Sequence, residues 1–282
     1  MPASAPTGVV TRFAPSPTGL LHVGHAFAAF KAAEAAENGR FLLRIEDIDR
    51  GRCRPEFEAA IYEDLAWLGL TWETPVRRQS AHFPEYEAVL AQLQNRGLLY
   101  PCFCTRADIA AAPSAPHPGP LLGPEGPIYP GTCRHLSSAD RETRIAAGTP
   151  FALRLKTDRA VADVGPLTWN DAARGDVAAT PEIFGDVVLA RKDTPTSYHL
   201  ACTWDDALQG VTLVTRGEDL FQATHIHRLL QALLDLPTPR YAHHGLILGA
   251  DGKKYSKRDK APTLRSLRES GKSADDVRRM LA

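Results

Sequence analysis

Val9-Val10-Thr11-Arg12-Phe13-Ala14-Pro15-Ser16-Pro17-Thr18-Gly19-Leu20-Leu21-His22-Val23-Gly24-His25 decides the fold of this 282-residue chain. Val9 to Phe13 is short and β-rich, and two prolines and a glycine then stop it in a loop. From about His25, the run Ala26-Phe27-Ala28-Ala29-Phe30-Lys31-Ala32-Ala33-Glu34-Ala35-Ala36-Glu37 consists mostly of strong helix formers, with Gly39 placed for the C′ position. Phe41 to Ile45 is almost continuously apolar, the pattern of a strand buried on both faces. Strand, loop, helix and strand in this order predict an α/β fold around a parallel sheet, with ligands at the carboxyl ends of the strands.

Outward from this unit, Pro55 to Leu68 and Pro84 to Arg96 read as amphipathic helices. Ala110 to Gly131 is rich in Ala, Pro and Gly and reads as irregular. Phe151 to Leu155, Asp186 to Ala190 and Leu213 to Arg216 read as strands, Ala223 to Leu234 as a helix, and Ile247-Leu248 as a strand end. The tail from Arg265 is charged and partly helical. No internal repeat is present. The divisions expected are 1–100 and 186–240 as two halves of one α/β domain, 101–185 as an insert, and 241–282 as a loop region with a short helical tail.

Formal net charge is zero, so a nucleic-acid partner has to be argued from local patches. Arg265, Arg268, Lys272, Arg278 and Arg279 form either such a patch or a solvated helix face. No apolar run reaches the roughly 20 residues that span a bilayer, and Met1 to Gly8 has no basic start followed by an apolar core. No membrane association is expected, and a cytoplasmic location is. Nothing in the sequence specifies an oligomer, and a monomer is expected. The five cysteines are an odd number, which favours metal binding or burial over a disulfide framework. Cys102, Cys104 and Cys133 offer three thiolates around the irregular stretch, and structural zinc takes four ligands. His135 is the chemically natural fourth. Cys53 and Cys202 read as unpaired thiols.

His22 and His25 flank Gly24 at a helix start, where unpaired N–H groups and partial positive charge suit phosphate. Two imidazoles there can donate to phosphoryl oxygens as charge develops. Gly24 between them allows a flat base or sugar to approach the backbone. Late in the chain, Gly252-Lys253-Lys254-Tyr255-Ser256-Lys257-Arg258 is a basic loop able to neutralise β- and γ-phosphates while pyrophosphate departs.

His22 to His25 and Lys254 to Arg258 together resemble the two ATP-binding signatures of class I aminoacyl-tRNA synthetases. Val23 stands for the usual isoleucine, and Tyr255 and Arg258 for the usual methionine and final serine. Arg12 to Gly19 and Arg44-Ile45-Glu46-Asp47-Ile48-Asp49 are similar to the glutamyl branch, and the likeness runs from about Val9 to about Leu264. It implies a Rossmann-like catalytic domain that takes ATP with Mg2+ as substrate, held by His22, Gly24, His25, Lys254, Ser256 and Lys257. It also implies an L-glutamate site. Arg12, followed by Phe13, Ala14, Pro15 and Ser16, and Arg216 would take carboxylate in a guanidinium fork. Glu46 would take the ammonium, and Tyr198 would add a phenol, all four at or near predicted strand ends. Asp47 and Asp49 read as structural charges. For the metal, Tyr129-Pro130-Gly131-Thr132-Cys133-Arg134 resembles short glutamyl-tRNA synthetase paralogs in which a tyrosine completes a Zn2+ site, against His135 on chemistry alone.

Only 24 residues follow Arg258, too few for a domain with its own core, so no anticodon-binding domain is expected. The truncated members of this branch imply transfer of glutamate to queuosine, the modified wobble base of tRNA(Asp), with the anticodon stem-loop entering the catalytic domain. The rival readings are a minimal glutamate–tRNA ligase, a nucleotidyltransferase acting on a small acid, and an RNA-binding module without catalysis.

Overall fold

The computed structural model describes residues 8–111, 121–245 and 262–281. Its first strand, β1 (Val10–Phe13), is buried along its whole length. Helix α1 (Val23–Ala36) follows, then β2 (Arg40–Ile45), which runs parallel to β1 with Val10 opposite Arg40 and Phe13 opposite Leu43. The β-loop-α-β unit is therefore present as expected. Gly39 has a different reason from the one read in the sequence. The helix closes on Glu37 at φ 50°, and a Cβ on Gly39 would sit 2.0 Å from the Val9 carbonyl oxygen. Glycine is needed there because two backbones nearly touch.

Helix α2 (Pro55–Trp67) leads to β3 (Glu73–Arg78), a parallel partner of β2 that the sequence reading missed. Its residues, Glu-Thr-Pro-Val-Arg-Arg, lack both the alternation and the apolar run that mark a strand. Pairing on one side only lets this edge strand stay polar. Helix α3 (Phe83–Asn95) completes the first half.

The middle of the chain contains β4 (Leu99–Cys102), α4 (Arg106–Ala111), the hairpin β5 (Leu122–Gly123) and β6 (Gly126–Pro127), α5 (Ser138–Ala146), β7 (Ala152–Leu155) and α6 (Thr157–Val164). Then come β8 (Thr168–Asp171), β9 (Gly175–Ala178) and β10 (Val188–Ala190). The hairpin corrects the reading of 110–131 as wholly irregular, within the part of that stretch that is described. β4, β7 and β10 form an antiparallel sheet with β7 central.

Helix α7 (Tyr198–Leu208), β11 (Leu213–Gly217), α8 (Ala223–Leu233) and β12 (Arg240–His244) follow, with α9 (Leu264–Glu269) and α10 (Ala274–Leu281) at the end. β11, β12 and β8 are parallel, and β9 pairs antiparallel at the edge. Thr212 ties this sheet to the first one. The Val10 N–H donates to Thr212 Oγ1 at 2.9 Å, and the Thr212 N–H donates to the Val10 carbonyl at 3.0 Å. The order is thus β3-β2-β1 and then β11-β12, and the chain switches direction between β1 and β11. In open α/β sheets that crevice is where ligands bind.

One apolar core lies under α1, α2, β1 and β2, and it includes Leu264, Leu267 and Val277 of α9 and α10. Each such side chain contributes about 1.5–3 kcal/mol by leaving water, and Arg278 stacks 4.1 Å over the Phe30 ring. The terminal helices are therefore packed parts of the fold. A second core joins α3, α6, α7 and α8. Among the described residues, no helix is long and apolar enough to cross a membrane.

Candidate active site

His22 is the N-cap of α1, and the two histidines form a reciprocal cap. The Gly24 N–H donates to His22 Nδ1 and the His22 N–H donates to His25 Nδ1, each at 3.1 Å. A backbone N–H is only a donor, so both Nδ1 atoms must accept. The rings are neutral and carry their protons on Nε2. The ring centroids are 3.9 Å apart. A Cβ on Gly24 would lie 3.0 Å from Cε1 of His22. A side chain at position 24 would therefore press on the His22 ring.

The second basic loop, with Lys254, Ser256 and Lys257, lies outside the described residues, as does the strand end read at Ile247-Leu248. Its described flanks both reach α1. On one side the His244 ring meets Phe27 edge-on at 5.0 Å. On the other, Thr263 forms a β-bridge with His22, and the Leu264 N–H donates to the Leu21 carbonyl at 2.8 Å.

At the carboxyl ends of β1, β2 and β11 lies a buried ionic cluster. Arg12 donates from Nε to Asp206 Oδ1 at 2.9 Å and from Nη1 to the Thr215 carbonyl at 3.2 Å. Arg44 donates to the same Asp206 oxygen at 2.8 Å and to Glu46 Oε1 at 3.1 Å. Burial pushes the Glu46 carboxyl upward against the pull of Arg44 and Arg12. Burial acts the same way on Asp206, but the two guanidiniums outweigh it and hold that carboxyl below its usual range. Cys202 lies within this cluster, with Sγ 3.7 Å from both Arg44 Nη2 and Asp206 Oδ2.

Arg216, at the end of β11, is 5% exposed. Its guanidinium donates to Thr224 Oγ1 at 2.6 Å, His243 Nε2 and His227 Nδ1 at 3.2 Å, and the Tyr198 hydroxyl at 3.4 Å. None of these partners is anionic, and among the described residues no carboxylate ion-pairs with it. Each imidazole accepts from a guanidinium, so each is neutral. Burial, reinforced by Arg216, lowers His227 well below its ordinary value. Burial also lowers His243, to about 4, although Asp171 accepts from its Nδ1 at 2.7 Å.

The structure therefore brings Arg12, Glu46, Tyr198 and Arg216 into one neighbourhood, with Glu46 and Tyr198 lining a cleft and Arg12 and Arg216 buried close to them. Tyr198 lies in the first turn of α7, a helix that the sequence reading did not identify when it put the residue at or near a strand end. Phe13 turns its ring into the core. The Pro15 carbonyl accepts from the Glu46 N–H at 3.0 Å and so joins the β1 and β2 ends. Ser16 lines a cleft of about 980 Å³ with Glu46, Tyr198 and His199. Asp47 and Asp49, read in the sequence as structural charges, both have protein partners, and Asp49 also lines the cleft. Asp47 accepts from the Ser80 N–H, and Asp49 pairs with Arg52.

The far wall of the cleft includes Cys104 and Tyr129. The sulfurs of Cys102, Cys104 and Cys133 all lie within 4.8 Å of one another. The Tyr129 hydroxyl is 3.6 Å from Cys104 Sγ and accepts from the Cys133 N–H at 2.7 Å. The Arg154 guanidinium covers the Tyr129 ring at 3.9 Å. His135 is exposed and is not part of this group. Burial pushes the Cys104 thiol up to about 11. For Cys133, hydrogen bonds with Tyr129 and the Phe103 N–H overcome burial and lower it.

Residues 8–281 match the sequence family described as tRNA synthetases class I (E and Q), catalytic domain. The chain belongs to this family. It is 52% identical over 279 residues to a protein of Rhodobacter capsulatus named Glutamyl-Q tRNA(Asp) synthetase, covering 97% of this chain and 99% of that protein. A Nocardia farcinica protein of the same name is 44% identical and is covered over 85% of its length. Among solved structures, a glutamate tRNA ligase from Elizabethkingia meningosepticum in complex with its amino acid superposes with a TM-score of 0.75 at 30% identity. That match covers 90% of this chain and 52% of the ligase, so the chain spans about half the length of that enzyme.

Several members of this buried cluster escaped the sequence reading. Asp206 gathers Arg12 and Arg44 from positions more than 160 residues earlier, and no local pattern marks it. His227 and His243 look like ordinary helix and strand residues. Arg44 was visible as the one charge inside an apolar strand, a buried cation that needed a partner.

Proposed function

We propose that this chain activates L-glutamate with ATP and transfers it to queuosine at the wobble position of tRNA(Asp). The observation that carries the glutamate assignment is Arg216, a buried guanidinium whose partners among the described residues are all uncharged, with Tyr198 beside it and Glu46 nearby. A γ-carboxylate completes such a cation by a charge-assisted pair. Glu46 offers a carboxylate to the α-ammonium, and Arg12 stands at the end of β1 next to it. The acceptor assignment rests on the near full-length similarity to proteins named Glutamyl-Q tRNA(Asp) synthetase.

The reaction has two steps. An α-carboxylate oxygen of glutamate attacks the α-phosphorus of Mg-ATP, the bond to the bridging oxygen breaks, and pyrophosphate leaves. His22 and His25, whose tautomers make Nε2 a donor at a helix N-terminus, supply N–H groups to phosphoryl oxygens. Lys254, Ser256 and Lys257 act on the leaving pyrophosphate, and the anchoring of both loop flanks at α1 supports that role. A hydroxyl of the queuosine cyclopentenediol then attacks the acyl carbon. An ester forms and AMP leaves.

The cysteine group suits a structural Zn2+. With Zn–S bonds of ≈ 2.3 Å, tetrahedral sulfurs are about 3.8 Å apart, and Cys104 Sγ to Cys133 Sγ is 3.5 Å. Cys102, Cys104, Cys133 and the Tyr129 oxygen would hold the ion and pin an insert whose own apolar cluster is small.

The test is glutamate-dependent exchange of labelled pyrophosphate into ATP, followed by mapping of labelled glutamate on fragments of tRNA(Asp) with and without queuosine. Label confined to the queuosine-bearing anticodon fragment supports the reading. Label on the 3′ end of unmodified tRNA(Glu) would replace it with the glutamate–tRNA ligase reading.

A further inference from the structure

The insert reaches the Arg216 site through a single carboxylate. Glu125 occupies the turn of the β5–β6 hairpin, and its Oε1 lies 3.1 Å from Nε2 of His199, the second residue of α7. His199 Nδ1 is 3.3 Å from Nε2 of His227 on α8, and His227 Nδ1 is 3.2 Å from Nη1 of Arg216. Both imidazoles are buried.

A guanidinium only donates, so Arg216 sets the direction of the whole series. His227 accepts on Nδ1, carries its proton on Nε2, and donates to His199 Nδ1. His199 in turn donates from Nε2 to Glu125. Only a carboxylate or another acceptor ends such a series without opposing two donors. A second series is shorter and lies within the parallel sheet, running from Arg216 through His243 to Asp171. The two series thus end on carboxylates, buried Asp171 and exposed Glu125, neither of which touches Arg216.

The hairpin that carries Glu125 is seated closely. A Cβ on Gly123 would lie 2.7 Å from the Ile183 carbonyl oxygen, and one on Gly185 would lie 2.6 Å from Ile128 Cγ2. The hairpin backbone therefore packs against Ile183–Gly185 with no room for a side chain at either contact, and this seating sets where Glu125 meets His199.

We propose that Glu125 is a positioning residue for substrate recognition: through His199 and His227 it holds Arg216 in the orientation that receives the substrate's side-chain carboxylate. The proposal rests on the reading of Arg216 as the ligand of the glutamate γ-carboxylate. It makes the seating of the insert and the selection of the acid a single event. Without the terminal acceptor, His199 can move its proton to Nδ1, where it opposes the Nε2–H of His227 and loosens the ring that receives Arg216.

The experiment combines pyrophosphate exchange with 15N imidazole NMR on the full chain, comparing wild type, Glu125→Ala and Glu125→Gln. In Glu125→Ala the KM for glutamate should rise about tenfold, with the KM for ATP and the Tm unchanged. The neutral Nε2–H signature of His199 should become mixed. Glu125→Gln keeps an acceptor and should fall between the two. A KM for glutamate within twofold of wild type in Glu125→Ala overturns the proposal. So does a parallel rise in both KM values with a lowered Tm, which marks a merely structural role. If the wild type shows no glutamate-dependent exchange, the functional reading fails. The NMR then still decides the relay, since unchanged tautomers in Glu125→Ala refute it.

Discussion

Arg216 donates from Nε to Nε2 of His243 at 3.2 Å, and the proton on the other side of that ring is held by Asp171 at 2.7 Å. The cation therefore leans on a neutral acceptor kept in one tautomer, and on the reading proposed above the substrate's γ-carboxylate would pair with it directly. Arg216→Gln should lower kcat/KM for glutamate in pyrophosphate exchange by about 10²–10³-fold, the scale of losing one partner of a buried charge pair. The KM for ATP should hold within twofold. Arg216→Lys should rescue little, because an ammonium cannot reproduce four divergent N–H bonds. Full rescue by lysine would reduce the role of Arg216 to that of a point charge.

The same ring gives the fold an acid limit. His243 in the folded chain titrates at about 4, against 6.5 for an ordinary histidine, chiefly because of burial. A base with a lowered folded pKa contributes stability that is complete above 6.5 and is lost as the pH falls towards 4. His227 is shifted in the same direction. Denaturant unfolding from pH 7 to 4 should show this loss, up to about 3 kcal/mol from His243 alone. His243→Gln should flatten the slope. An equal slope in both proteins would show that the ring titrates normally.

Asp64 works in the opposite sense. It is fully buried under α9, neither oxygen has a hydrogen bond, and Arg268 lies 3.6 Å away. Burial pushes its carboxyl up to about 6. A raised folded pKa means that stability is complete below about 3.8 and is lost as the pH rises through 6. Asparagine mimics the protonated acid, so Asp64→Asn should stabilise the chain by about 1–3 kcal/mol at pH 8 and by nothing at pH 3.5. A variant less stable at pH 8 would show that Arg268 outweighs the burial.

Much of this was legible in the sequence, and what escaped had identifiable causes. The β1–α1–β2 unit could be read because strand, breakers, helix formers and buried strand occur locally and in order. Arg12, Glu46 and Arg216 could be placed because strand ends follow from those patterns. β3 and α7 were missed for different reasons. The residues of β3 do not announce a strand, and tertiary packing decides it, whereas α7 does carry a local start signal, Ser197 at its N-cap, that went unread. Asp206, His199, His227 and Glu125 acquire meaning only from partners far along the chain. No periodicity or spacing rule contains that information.

The cysteine cluster offers the sharpest separation of alternatives. His135 has the better donor chemistry, yet it is exposed, whereas the Tyr129 hydroxyl lies among the sulfurs. The purified chain should bind one equivalent of Zn2+, measured by elemental analysis and by a chromogenic chelator. Cys104→Ser and Cys133→Ser should release it. Tyr129→Phe removes only the ligand oxygen and should weaken binding by at least about 10–100-fold, the loss typical of groups that merely support a ligand. His135→Ala should leave affinity unchanged. If His135→Ala loses the metal and Tyr129→Phe keeps it, the fourth ligand is the histidine. The 132–136 segment would then have to turn its exposed ring inward to reach the sulfurs.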